Sequence, residues 1–439
     1  MKRLECPGSA PSANGRNPGA FSAGTAECHS SAREEKHVTN NNQNKRGSVN
    51  VSRREALQIT AKYGVTAASV GFACVVGDGV LSFAEAAASE AEKKAKAKHV
   101  MTLGLDGTLN LYPNRAVAKH SSWIHGAPEY KEIVEKNSNG QIYVDIHDAG
   151  ALGGQTAALK KVQQGIIQGA SCSTQNAAQL APVWNVLDVP YTVGPVANHW
   201  KLIFSKEFND TVRAQSEKRR LTTAIIMPYL RWLEMSHNVK KEIRKPEDLK
   251  GIKMRVTGSK LEQACFEILP TNSTPIAWSE VFTALKDGAV DGIHTTPTSV
   301  LDGGMAPVIG QIVDTLMMYN NDSIWLNTEW INALPGDLKE VVLEANYLGQ
   351  KKIYDDYEAI HREAIGTTVD GPKVGWKAAN TKIIRLSDAE RAVWVDFLSI
   401  DRNKSKLNGL IDQFGRKEFE LVLNVVKNGS PEPKRWWKA

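Results

Sequence analysis

Ser171-Cys172-Ser173 comes nearest to a nucleophile by residue type, and the ten histidines are the obvious candidates for a base or a metal ligand. Neither leads to a catalytic constellation. A serine or thiol nucleophile needs a base that a third group orients, and no His/Asp partner can be assigned from the chain. Small residues after a strand equally suit a close approach of backbones. The histidines are scattered, with no pair spaced to place two ligands on one helical face. H-E-x-x-H, G-x-S-x-G, the Walker lysine loop and G-x-G-x-x-G are all missing from the sequence. The five cysteines, at 6, 28, 74, 172 and 265, include no C-x-x-C pair. That excludes a cysteine-rich zinc ribbon and a dense disulfide framework. No metal and no cofactor is expected, and weight moves from an enzyme to a binding protein. A formal net charge of +6 over 439 residues is too weak for a nucleic-acid protein.

Such a chain is long enough for two core-sized lobes. From Val100 short strands and helices alternate, which favours an α/β class with a mixed or parallel sheet. Glu129 to Lys136 has helical spacing and ends at the turn signal Asn137-Ser138-Asn139-Gly140. Ile142, Val144 and Ile146 then share one face of a strand. Gly153-Gly154 opens a further helix with Leu159, Val162 and Ile166 towards the core. Lys245 to Gly251 reads as a single helical turn feeding a strand from Ile252 to Val256. Ser279 is the expected N-cap of a helix over Glu280 to Lys286, Gly288 the residue that ends it, and Ala289-Val290 the start of the next strand. After Leu334-Pro335 the apolar spacing supports a helix of roughly 30 residues, about 45 Å long, enough to brace two lobes.

The N-terminal stretch has a different character. All 11 tryptophans lie beyond residue 88, and residues 1–50 are polar and without apolar periodicity, so this leader is expected to be disordered. Residues 51–88 read as an export signal: Ser52-Arg53-Arg54-Glu55-Ala56-Leu57, an uncharged run from Tyr63 to Gly77, then small residues at Ala84, Ala86 and Ala88. The paired arginines resemble a twin-arginine signal. A membrane anchor is the alternative, but the uncharged run falls short of the roughly 20 apolar residues a spanning helix needs. Residues 89–99 then read as a solvated linker, and Cys172 and Cys265 would be the cysteines left after cleavage, paired or not.

Lys250-Gly-Ile-Lys-Met-Arg255-Val-Thr-Gly258, followed by Pro275-Ile-Ala-Trp278-Ser-Glu280 through to Val290-Asp291-Gly292, resembles the core signature of the DctP-type solute receptors of TRAP transporters. Upstream, Ser138-Asn-Gly140, Gly150-Ala-Leu-Gly-Gly154, Leu159 to Gly165 and Leu187-Asp-Val-Pro190 are similar to the family's N-lobe motifs in the same order. The resemblance covers residues 100 to 400. It implies a two-lobed periplasmic binding protein of type II, a Venus flytrap with a long lobe-bridging helix. The N-terminal lobe would comprise 100–228 plus about 321–360, and the C-terminal lobe 229–320 plus about 361–439. The implied function is binding a small organic acid outside the cytoplasm and handing it to the small and large membrane subunits of the carrier. A homodimer is left open. A receptor of similar fold for an ATP-driven importer or a sensor is the nearest alternative, and a secreted enzyme a more distant one.

In that family the arginine ending the Lys-Gly-x-Lys-x-Arg strand is the carboxylate clamp, which here is Arg255; alone it would read as a surface arginine beside Lys253. A guanidinium matches a carboxylate bidentately and stays charged when buried. Arg231 is the candidate for the family's second arginine. Trp278 stands where an aromatic ring lies against the ligand, or it packs in the core. Ser259 falls where the backbone passes the ligand. Thr295 replaces an asparagine that bonds the ligand in many members, a departure that leaves one hydroxyl for an amide. His294 either faces the cleft or is a buried structural histidine. In the N-terminal lobe Trp123, His125, Ser173, Thr174, Gln175 and Asn176 fall on segments that cover the ligand's far end. Trp325 either closes the pocket or packs, and the tail Pro433 to Trp437 is expected to be a surface patch.

Overall fold

The computed structural model describes residues 74–76, 79–81, 83–107, 127–365, 375–430 and 432–438. The leader over 1–50, the arginine pair and apolar run of the export signal up to residue 73, and Trp123 and His125 lie outside the described residues.

β1 (Cys74–Val76) and β2 (Gly79–Leu81) form a short antiparallel pair, and α1 (Phe83–Lys96) follows. The expected linker over 89–99 is therefore helical through Lys96. Its charges sit three and four residues apart and pair along the helix, Glu90 with Lys93 and Glu92 with Lys96. The helix is also tied down: Lys94 donates to Asp145 at 2.6 Å and the Tyr143 hydroxyl to Glu90 at 3.0 Å.

The first lobe runs through β3 (His99–Gly104), α2 (Ala127–Asn137), β4 (Ile142–His147), α3 (Gln155–Gln163), β5 (Gly169–Ser173), α4 (Thr174–Ala177), α5 (Val196–Phe204) and β6 (Leu221–Leu230). The second contains β7 (Trp232–Ser236), β8 (Lys253–Val256), α6 (Lys260–Ile268), β9 (Asn272–Pro275), α7 (Trp278–Lys286), β10 (Gly292–Thr295), α8 (Pro297–Asp302) and β11 (Ile309–Val313). The chain then returns to β12 (Tyr319–Asn327) and α9 (Gly336–Ile365), adds β13 (Lys382–Ile384), and ends on α10 (Lys404–Asn428).

Two sheets result, with strand orders β4-β3-β5-β12-β6 and β13-β11-β7-β10-β8-β9. β12 inserts antiparallel between β5 and β6 of the first sheet only after most of the second has been built. The lobes are thus joined by crossings at Arg231 and at 314–318, and these run side by side, with the Arg231 N–H donating to Met318 O at 2.8 Å. The ladder sets their place, because β6 and β12 stay paired out to Leu230 and Tyr319.

α9 has the expected 30 residues and packs on α2 and β6 of the first lobe and on α8 of the second. The end of the chain departs from expectation. β13 joins the second sheet, but α10 packs chiefly on α5 and the 3-10 turn Pro182–Leu187 of the first lobe, where Lys201 donates to Val426 O at 3.0 Å. The tail is a surface patch only in part: Lys434 and Arg435 are exposed. Trp436 is buried against Phe204 and Tyr347, with the Arg213 guanidinium 4.3 Å from its ring centre, and Arg435 grips Glu344 bidentately.

Smaller differences have local causes. Ile166 is 64% exposed, because α3 stops at Gln163 and Gly165 takes a positive φ that turns the chain outwards. α7 starts at Trp278 with Ala277 as its cap, so Ser279 lies inside it. β10 starts at Gly292, since Gly288 ends α7 as expected but the next residues complete the turn. A methyl group at Gly292 would lie 2.5 Å from Met235 Sδ and 3.0 Å from Glu234 O. Gly292→Ala is therefore expected to lower stability by about 1–3 kcal/mol through overpacking, read as a drop in melting temperature.

Candidate ligand-binding site

Three neighbouring strands bring the predicted arginines and histidine to one end of the second sheet. β10 pairs parallel with β8, placing Ile293 opposite Arg255, and antiparallel with β7, placing His294 opposite Leu233 and Thr295 opposite Trp232. Arg231 immediately precedes β7. The carboxyl ends of the parallel strands β8 and β10 and the start of β7 therefore meet where the chain crosses between lobes, the usual place for a ligand in an open α/β sheet.

Arg255 is 2% exposed. Its Nε donates to Ile276 O at 2.9 Å, which fixes the plane of the guanidinium, while its two terminal nitrogens have no partner among the described residues. The Trp278 ring centre is 5.8 Å from the guanidinium carbon, near enough for a cation–π contact. Burial lowers the Arg255 pKa to about 10 despite the opposing pull of Glu262, so the group stays charged at neutral pH.

Arg231 lies beside it, equally buried, and is fully engaged. Nη1 pairs with Glu262, while Nε and Nη2 point to Asn320 Oδ1 at 3.4 and 3.3 Å. Glu262, on the first turn of α6, was not foreseen. Its Oε1 also meets His294 Nδ1 at 3.1 Å, and its Oε2 accepts from the Thr257 N–H at 2.9 Å and from the Thr257 hydroxyl. Burial alone would raise this carboxyl; Arg231 and the hydrogen-bonded His294 outweigh it and hold it below the usual range. Burial pushes the His294 pKa down to about 4, which keeps the imidazole neutral. Thr295 gives its N–H to Glu234 at 3.0 Å, and burial raises that carboxyl well above its ordinary value. The Thr295 hydroxyl bonds no described residue.

Ser259 caps α6 and donates its hydroxyl to Asn185 Oδ1 of the first lobe at 3.0 Å. A methyl at Gly258 would come within 2.5 Å of Gln179 of the first lobe. The lobes are thus in contact around Ser259. Asn185 is held in place by its own amide on Pro182 O at 3.0 Å. Asn185→Ala is expected to weaken ligand affinity about five- to tenfold, mainly by faster dissociation in stopped-flow, because a net hydrogen bond of about 1 kcal/mol is lost from the closed state.

The first lobe contributes a polar row at the ends of β3 and β5. Ser173 caps α4, Asn176 and the Ser173 N–H both reach Gln155 Oε1, at 2.8 and 3.0 Å, and Gln155 reaches Asp106 at 3.3 Å. Thr174 is fully buried. Gln175 is fully buried too, with its amide nitrogen committed inside the lobe to Asp188 at 2.8 Å and to Tyr319 O at 2.6 Å. Trp325 packs: it is fully buried, donates to Cys172 O at 2.9 Å and lies edge-on to Trp184. Cys172 and Cys265 are buried free thiols. Among the described residues no three His, Cys, Asp or Glu side chains group to hold a metal, and no helix is long and apolar enough to cross a membrane.

Two α/β lobes on paired crossings, with a buried arginine where they meet, define the hinged class of small-molecule receptors. The chain belongs to the bacterial extracellular solute-binding protein family 7, the DctP family, whose model matches residues 114–400. It is 27% identical over 167 residues to the 2,3-diketo-L-gulonate-binding periplasmic protein YiaO of Escherichia coli, covering 38% of this chain and 49% of that one. To the C4-dicarboxylate-binding periplasmic protein DctP of Rhodobacter capsulatus it is 24% identical over 278 residues, 62% of this chain and 79% of that one. The chain thus spans about half the length of the first of these relatives. Among solved structures it resembles the sugar acid binding protein of Advenella mimigardefordensis in complex with galactonate, with a TM-score of 0.65 and 20% identity over 76% of this chain and 99% of that one. A TRAP periplasmic solute binding protein of Sulfurospirillum deleyianum with bound succinate gives a TM-score of 0.61 and 20% identity over 75% and 99%.

Proposed function

We propose that the protein is a periplasmic receptor that binds a small organic acid and delivers it to the integral-membrane subunits of a TRAP-type carrier. Arg255 carries this reading: a buried cation, oriented by a backbone carbonyl, whose terminal nitrogens are left for a bidentate carboxylate. Trp278 forms the apolar wall beside it, and an apolar wall strengthens an ion pair by lowering the local dielectric. Thr295 supplies a hydroxyl from the same lobe, while the Ser259 hydroxyl, donated to Asn185, ties that lobe to the first beside the ligand. The polar row around Gln155 and Asn176 covers the ligand's other end. Such an acid touches both lobes only in the closed state, and that differential contact drives closure. Family membership and relatives that bind sugar acids and dicarboxylates favour the same class of ligand. Ser52-Arg53-Arg54 belongs to the proposal as a twin-arginine export signal.

The test is a thermal-shift panel of mono- and dicarboxylates, 2-oxoacids and sugar acids on the full chain. A ligand at 100 times its Kd adds about 2.7 kcal/mol to the native state, enough to raise the melting temperature by several degrees. At least one acid is expected to do so and its amide to fail. A panel in which no acid stabilises the folded, ligand-stripped protein would contradict the proposal.

A further inference from the structure

Two arginines reach the clamp end of the cleft, but their charges are not equally available. Glu262 is 1% exposed and Arg231 2%, and they form one buried pair in which every carboxylate oxygen and every guanidinium nitrogen already has a protein partner. The pair is internally neutral. No other lysine or arginine hydrogen-bonds this cluster among the described residues; its titratable neighbours include His294, Glu234 and Asp188, all buried, bonded respectively to Glu262, to the Thr295 N–H and to the Gln175 and Asn321 amides, and burial raises the Glu234 and Asp188 carboxyls well above their ordinary values. Among the described residues of this cluster, Arg255 is left as the one positive charge without a bonded counter-charge. Resting on the receptor reading above, we infer that the site selects a ligand with a single carboxylate and an uncharged remainder, and that Glu262 sets this selectivity by withholding Arg231 from a second carboxylate. A dianion would bury two negative charges against one positive, and an unmatched buried charge is strongly unfavourable. Glu262 acts here through Arg231 as a positioning residue and need not touch the ligand.

The inference is tested by calorimetric titration of the full chain with ligands that differ in charge but hardly in shape. The pairs are succinate with its monoamide, glutarate with its monoamide, and galactarate with galactonate, each on the wild type and on Glu262→Gln. In the wild type the monoanion of any pair that binds is expected to bind about tenfold or more tighter than the dianion. In Glu262→Gln that ratio is expected to fall about tenfold or to reverse, since Arg231 is released to a second carboxylate. A purely structural role for Glu262 would lower both affinities together and leave the ratio unchanged. Equal affinities or a dianion preference in the wild type, or an unchanged ratio in a folded variant, would overturn the inference while leaving the receptor reading intact. Should Glu262→Gln not fold, the wild-type pairs decide alone. Failure of every acid to bind the wild type would overturn the receptor reading and this inference with it.

Discussion

Arg255→Ala is expected to abolish carboxylate binding, weakening it by about 100- to 1,000-fold or more, while the protein stays folded. Removing one partner of a buried ion pair costs about 3–5 kcal/mol, because the remaining charge is left unmatched, and 1.4 kcal/mol is tenfold in affinity. The fold should tolerate the change. Among the described residues Arg255 makes one hydrogen bond, from Nε to Ile276 O, and truncation also removes a buried cation that nothing in the second sheet neutralises directly. Calorimetry with the tightest acid, beside circular dichroism and a melting curve, separates the two effects. Lys at this position should recover only part of the affinity, since an ammonium presents no planar fork.

Arg231 should behave in the opposite way. Arg231→Met is expected to cost about 3–5 kcal/mol of stability, because it strands Glu262 as a buried carboxylate beside a neutral imidazole. The double variant Arg231→Met with Glu262→Gln should regain a good part of that loss, a coupling of about 1.5 kcal/mol or more in a double-mutant cycle. The pH dependence has a definite sign. In the wild type the Glu262 pKa is depressed, so its contribution is present above the unfolded-state value of about 4.3 and is lost as pH falls below it. Without Arg231 burial dominates and raises the folded-state pKa above the unfolded value. The variant's deficit should then shrink as pH falls from neutral towards about 5. Denaturant melts at several pH values would show this. A deficit that stays constant or grows on acidification would contradict the pairing.

These two outcomes divide the arginines by environment, and that division was not written in the sequence. Both were visible as candidates, and the resemblance ranked Arg255 first. What sets Arg231 apart is Glu262, whose spelling in Ser259-Lys-Leu-Glu262 is that of a helix capping box. Ser259 does cap α6, but the Glu262 side chain turns back to Thr257 and across to Arg231. Local spelling and long-range use coincide at one residue. The lobe contact from Ser259 to Asn185 spans 74 positions and has no local signal at all.

Elements with strong periodicity were legible. α9 was found at its full length after Leu334-Pro335, and the turn before β8 was read from a proline and a glycine. Losses came where tertiary packing overrides composition. The Glu/Lys/Ala run of α1 looked like solvated chain because its stabilising pairs lie along and across a helix surface. The tryptophan-bearing tail looked superficial because its partners Phe204 and Arg213 sit more than 200 residues earlier. Ile166 misled by continuing a helical pattern one residue past the glycine that ends it.

The most direct test of the whole account is a crystal structure of the protein with the acid that stabilises it most. The predicted result is a carboxylate lying in the plane of the Arg255 guanidinium, with two N–H to oxygen distances of about 2.8 Å, the Trp278 ring alongside, and Arg231 still paired with Glu262. A carboxylate seated elsewhere, or one that draws Arg231 away from Glu262 and leaves Arg255 without a ligand oxygen, would contradict it.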